Sequence, residues 1–138
     1  MDYEAFTNNL IAEMRANTGR ISGGPMAGRP LMILSSTGAR SGKERTAIIT
    51  YSRDGDRYVI AASKSGAPTN PDWYYNLLAN PEVGVEAGGE TFRARATEAT
   101  GEERQRLWDQ HAKERAEFRD YPNMTTRVIP VITLDRLT

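Results

Sequence analysis

The chain has 138 residues, 18 basic and 18 acidic side chains, no cysteine and one histidine. This length suits a single domain, 1–138, around one moderate core, and the charge balance weighs against a general nucleic-acid binder. Disulfides are excluded, a Cys/His metal centre lacks ligands, and no loop has the Asp/Asn/Gly spacing of a calcium hand, so no metal is expected.

The first fifteen residues include Asp2, Glu4, Glu13 and Arg15, unlike a secretory signal, and no apolar run is long enough to cross a membrane. A cytoplasmic protein is expected, with at most peripheral membrane contact. Phe6, Leu10, Ile11 and Met14 share one face of a helix predicted over 3–16, a stripe that suits core packing. Residues 17–30 hold four glycines and two prolines and read as a loop, so 1–25 forms an N-terminal helix and loop.

Leu31–Ser35 reads as a buried strand. After the loop "TGARSGKERT" (37–46), Thr46–Ser52 reads as a second strand. Asp54-Gly55 signals a tight turn into Tyr58–Ala62, so a hairpin is predicted over 46–62. A second polar loop, 63–69, leads to a short helix with Asn70 as cap and Pro71 at its first position. Val83–Ala87 and Phe92–Thr97 alternate in polarity about a Gly88-Gly89 turn. Thr100 to Glu103 forms a capping box that opens a long helix to about Phe118. Arg127–Leu134 reads as a last strand, placed at an edge or bulge by Pro130. The tally is an α+β fold of about six mainly antiparallel strands with three helices.

The loop at 37–46 superficially resembles the phosphate loop of nucleotide triphosphatases. Its glycines, Gly38 and Gly42, are one residue too close, Glu44 follows Lys43 where a hydroxyl is required, and a strand follows instead of a helix. A triphosphate cradle is therefore rejected. Arg40, Lys43 and Arg45 still concentrate positive charge, the glycines free the backbone to turn, and Thr37 and Ser41 add hydroxyls. The loop Ser63-Lys64-Ser65-Gly66 repeats the composition. From the residues alone, an anion site and a pair of solvated basic turns both remain open.

The motifs T-G-A-R-S-G-K-E-R, D-G, A-A-S-K-S-G and N-P-D-W-Y-Y-N-L occur in that order. In this arrangement the chain resembles the deazaflavin-dependent nitroreductase and quinone reductase family over roughly residues 26–137. The resemblance implies a split β-barrel of the FMN-binding type and coenzyme F-420, a deazaflavin with a phosphate and a polyglutamate tail. Arg40, Ser41, Gly42, Lys43 and Arg45, with Thr37 and Gly38, would receive phosphate and tail. Ile48, Ala61, Ala62, Ser63, Lys64, Trp73 and Asn76 would complete the cofactor site. Ser63 and Tyr121 would act nearest the reaction, and Thr50, Phe118 and Tyr121 would line the acceptor.

The implied activity is hydride transfer to a quinone, nitro compound or other activated conjugated acceptor, by a monomer or homodimer. Family members that activate nitroimidazoles are tyrosine-rich after the long helix. Here Arg115 and Phe118 stand at two such positions, Thr50 at a third, and Tyr121 alone is kept, which favours quinones over bulky nitro compounds. An FMN enzyme on the same fold and a non-catalytic deazaflavin carrier are the alternatives. His111, on the long helix, is expected to be a partly buried, hydrogen-bonded structural histidine.

Overall fold

The computed structural model describes residues 3–16, 30–63, 69–114, 118 and 128–137. Helix α1 spans Tyr3–Ala16, as its apolar stripe predicts. Strands β1 (Leu31–Thr37), β2 (Glu44–Thr50), β3 (Ser52–Asp54) and β4 (Arg57–Ala61) follow. Helix α2 (Asp72–Ala79) leads to β5 (Glu82–Ala87) and β6 (Glu90–Glu98), then α3 (Gly101–Glu114) and β7 (Val131–Arg136).

One antiparallel sheet has the order β2-β1-β5-β6-β7-β4-β3. The two end strands, β2 and β3, are consecutive in the chain, with only Tyr51 between them. One bent strand therefore contributes to both ends of the sheet, and the sheet curls until those ends meet at Tyr51. With three helices, this is the expected split β-barrel. Counting the bent strand once gives the six strands the sequence predicts.

Alternation within each strand separates two faces. Met32, Leu34, Ile49, Tyr58, Ile60, Val85, Phe92 and Leu134 fill the barrel interior. On the outer surface, Ile11 and Met14 of α1 cover Leu31 and Ile33. Leu107, Trp108 and Ala112 of α3 cover Val59, Ala61 and Val131. An ionic cluster clips α3 to the β3–β4 turn: Asp54 accepts hydrogen bonds from Arg57 at 2.6 Å and from Arg106 at 3.1 and 3.2 Å.

Four predicted features differ. The hairpin expected over 46–62 is confined to Ser52–Asp54 against Arg57–Val59, while β2 pairs along its whole length with β1. The turn residues are Gly55 and Asp56, because Asp54 still pairs with Arg57. Strand β7 is central, between β6 and β4, not at an edge. Pro130 is tolerated because it precedes the strand and serves only as acceptor, taking the Ala62 N–H at 2.9 Å. Pro71 is the N-cap of α2 rather than its first helical residue, and its φ of −67° is compatible with either position. The Gly88-Gly89 turn is as expected: both residues have positive φ, 58° and 82°, as a two-residue hairpin loop demands.

Candidate cofactor site

The bend at Tyr51 creates an opening in the barrel wall. Beyond Tyr51, β2 pairs with β1 alone, and among the described residues no strand covers its other edge. The Ala61 end of β4 is likewise uncovered on the side away from β7. The two edges diverge from Tyr51 and form the lips of a seam, and the β2 lip runs about 20 Å to the basic loop, given the rise per residue of a strand.

Backbone register shows what the lips offer. Tyr51 donates its N–H to Pro30 O at 3.0 Å, so Tyr51, Ile49, Ala47 and Arg45 turn their peptide groups toward β1. Thr50, Ile48 and Thr46 therefore turn theirs into the seam. On the other lip, the Ala62 N–H goes to Pro130 O, so Ala61 is the residue of β4 that faces the seam. The same alternation carries on to Ser63, which is 7 % exposed. Ile48, Ala61 and Ser63, expected at the cofactor, and Thr50, expected at the acceptor, thus lie together on the two lips. Ala62 belongs to the interior, with its side chain in the core and its N–H committed to Pro130.

The basic loop closes the far end of β2. Gly38 N–H donates to Lys43 O at 2.8 Å, Gly42 N–H reaches Gly38 O at 3.0 Å, and Lys43 N–H reaches Ser41 Oγ at 3.2 Å. Gly42 sits at φ +69°, where a side chain is strained, and a Cβ on Gly38 would meet Ser41 Oγ at 2.6 Å and Lys43 O at 3.3 Å, displacing the hydroxyl that accepts Lys43 N–H. The N–H groups of Arg40 and Ser41 have no acceptor among the described residues. Arg40, Lys43 and Arg45 are exposed, and none is held by a carboxylate among the described residues. By contrast, Arg15, Arg57, Arg106 and Arg136 are all ion-paired.

Helix α2 braces this loop. Buried Asn76 accepts the Ala39 N–H on its Oδ1 at 3.0 Å, and Asn80 Nδ2 donates to Thr37 O at 3.4 Å. The family resemblance places Asn76 at the cofactor site and gives no sign of this contact with the loop. Trp73 is half-buried against the barrel core, so packing accounts for much of its surface. Tyr74, next to it, donates to Glu98 at 2.5 Å, and burial together with that bond pushes its hydroxyl up to about 12, which makes it a poor proton donor.

On the outer side of β4, Phe118 packs with Val59 and Ala61 and lies edge-on to His111 at 4.4 Å. Its aromatic ring therefore stands in the same cluster as a lip residue. His111 is hydrogen-bonded, as expected, with its Nδ1 2.6 Å from Ser52 Oγ, but it is fully rather than partly buried. Lys64, Tyr121 and Arg115 lie outside the described residues. No cluster of metal-ligating side chains occurs among the described residues, and no helix among them is long and apolar enough to cross a membrane.

The described residues form a split barrel with an edge-lined seam and a basic loop at one end. Comparison with known proteins identifies the group. The F420H(2)-dependent quinone reductase family model matches residues 8–136, and the chain belongs to that family. A Mycobacterium tuberculosis F420H(2)-dependent quinone reductase is 38 % identical over 125 residues, covering 88 % of this chain and 84 % of its own. The solved "F420-H2 dependent reductase (FDR-A)" is 35 % identical with a TM-score of 0.71, over 78 % of this chain and 95 % of that one. A second structure, a domain-swapped dimer, is 31 % identical with a TM-score of 0.73, over 93 % and 98 %.

Proposed function

We propose that this protein is an oxidoreductase that binds reduced coenzyme F-420 in the seam and passes a hydride to a quinone. Other conjugated acceptors, nitro compounds among them, fall within the same chemistry. The observation that carries this reading is the seam, which ends on three cations at Arg40, Lys43 and Arg45 and is lined along its length by strand-edge peptide groups. The donor set fits the cofactor: guanidinium and ammonium groups for the phosphate and glutamates, and peptide N–H and C=O groups for the hydrogen-bonding edge of the ring.

In this arrangement, Ile48, Thr50, Ala61 and Ser63 flank the ring, and their small or branched side chains let it lie close to the backbone. Lys64 adds charge, and Trp73 and Ala62 support the wall from the interior. When bound, the reduced deazaflavin supplies a hydride from its C5 carbon. The protein orients the acceptor against that carbon and excludes water. Addition of the hydride and one proton to a quinone leaves the hydroquinone and oxidised cofactor. The Ser63 hydroxyl would stabilise negative charge growing on the acceptor oxygen, and Tyr121 or solvent would return the proton. Phe118, only 6 % exposed within the cluster behind β4, would back the Ala61 lip from outside rather than touch a flat quinone ring.

The test is a titration of purified protein with coenzyme F-420, followed by quenching, and then oxidation of the reduced cofactor with menadione. Micromolar binding and steady turnover are expected. Retention of FMN without deazaflavin binding would replace the cofactor assignment. Binding without turnover across a quinone and nitro panel would make the protein a carrier.

A further inference from the structure

We infer that Asn76 is a positioning residue for the tail of the cofactor rather than a contact for its ring, an inference that rests on the deazaflavin reading above. Its Oδ1 accepts the Ala39 N–H at 3.0 Å across 37 residues of sequence, and the side chain is 9 % exposed. An N–H requires an acceptor, so this bond also fixes which amide atom is the oxygen. Four residues on, one helical turn away on the same face, Asn80 Nδ2 donates to Thr37 O at 3.4 Å. These two amides grip the loop at Thr37 and Ala39, immediately before Arg40 and Ser41. The peptide N–H groups of Arg40 and Ser41 are the ones the loop leaves without acceptors among the described residues.

The consequence is physical. A six-residue turn rich in glycine has many conformations, and ordering it on binding would cost affinity. Helix α2 meets that cost before the ligand arrives, so the loop presents its cations and N–H groups in one arrangement. Loss of the Asn76 amide should therefore weaken the hold on phosphate and glutamates and leave the ring unaffected.

The test compares two ligands: coenzyme F-420 and the same deazaflavin on its ribityl chain, without phosphate or glutamates. Asn76→Ala should raise the Kd for the full cofactor about tenfold, the size expected for loss of one well-placed hydrogen bond. The tail-less ligand should bind within about twofold of wild type. In the ligand-free protein, amide exchange at Ala39 should accelerate about tenfold while Met32 and Leu34 stay protected. Asn76→Asp, which keeps an acceptor, should restore that protection. Asn80→Ala should move affinity the same way by a smaller factor, and it supplies an independent variant if Asn76→Ala folds poorly. Equal weakening of both ligands, or unchanged Ala39 exchange, would overturn the inference. Failure of wild type to bind either ligand would instead remove the cofactor reading, and the Ala39 exchange would still decide whether the tether exists.

Discussion

The hydroxyl of Ser52 lies 2.6 Å from Nδ1 of His111, buried where the bent strand passes beneath α3. This bond joins the closing point of the barrel to α3, whose His111 also lies edge-on to Phe118. The pair fastens the strand just beyond Tyr51, where it leaves β1 for β4. A buried polar bond of this kind is worth more as a requirement than as a gain, because removing one partner strands the other.

Ser52→Ala should therefore lower stability by about 1–3 kcal/mol. Urea unfolding should show a lower midpoint with an unchanged slope, since the barrel still folds to the same surface area. An unaltered midpoint would mean that the bond contributes nothing net.

Arg40→Ala and Arg45→Ala should each weaken cofactor binding about tenfold, in the range of a charge-assisted hydrogen bond. Each variant should also show a shallower dependence of Kd on salt, because fewer screened charges remain. A fluorescence titration at several salt concentrations measures both. Equal affinity with and without the cations would place the anion elsewhere.

Gly38→Ala should distort the loop, since its Cβ would stand 2.6 Å from Ser41 Oγ. Gly42→Ala has open space but a left-handed backbone, φ +69°, and should cost about 1 kcal/mol. Cofactor affinity should fall further in Gly38→Ala than in Gly42→Ala. Paired titrations and melting curves would check this order.

Acid should loosen the contact between α3 and the β3–β4 turn. Hydrogen bonds from Arg106 and then Arg57 hold the Asp54 carboxyl down at about 2, against 3.8 ordinarily. A depressed folded value stabilises the protein above the unfolded value, and that stability fades as pH falls from about 4 toward 2. The contribution is on the order of 1 kcal/mol after allowance for the exposed Arg106. Asp54→Asn should abolish this part of the acid dependence in unfolding curves at pH 2.5 and 5.

Ser63→Ala should lower turnover with menadione by about tenfold while leaving cofactor affinity near wild type, if its hydroxyl acts on developing charge. A matching fall in cofactor affinity would reassign Ser63 to binding.

Local chemistry was legible before any fold was known. The stripe of Leu10, Ile11 and Met14 marks α1, the Gly88-Gly89 pair marks its hairpin, and the cations of residues 40–45 mark a basic loop. Each signal arises from neighbours a few residues apart, where side-chain period and backbone sterics suffice. The partner of β2 was not legible. Residues 44–54 read equally well as one strand of a simple hairpin, and only closure of the curled sheet divides them at Tyr51 between β1 and β4. That division opens the seam, decides that Thr50, Ile48 and Ala61 rather than Ala62 face it, and makes Pro130 the start of a central strand. The bond from Ala39 to Asn76 is of the same kind. Sequence by itself determined which residues carry charge, turns and apolar faces. Tertiary structure alone decided which of them meet, because long-range pairing depends on how the whole sheet packs and not on any window of the chain.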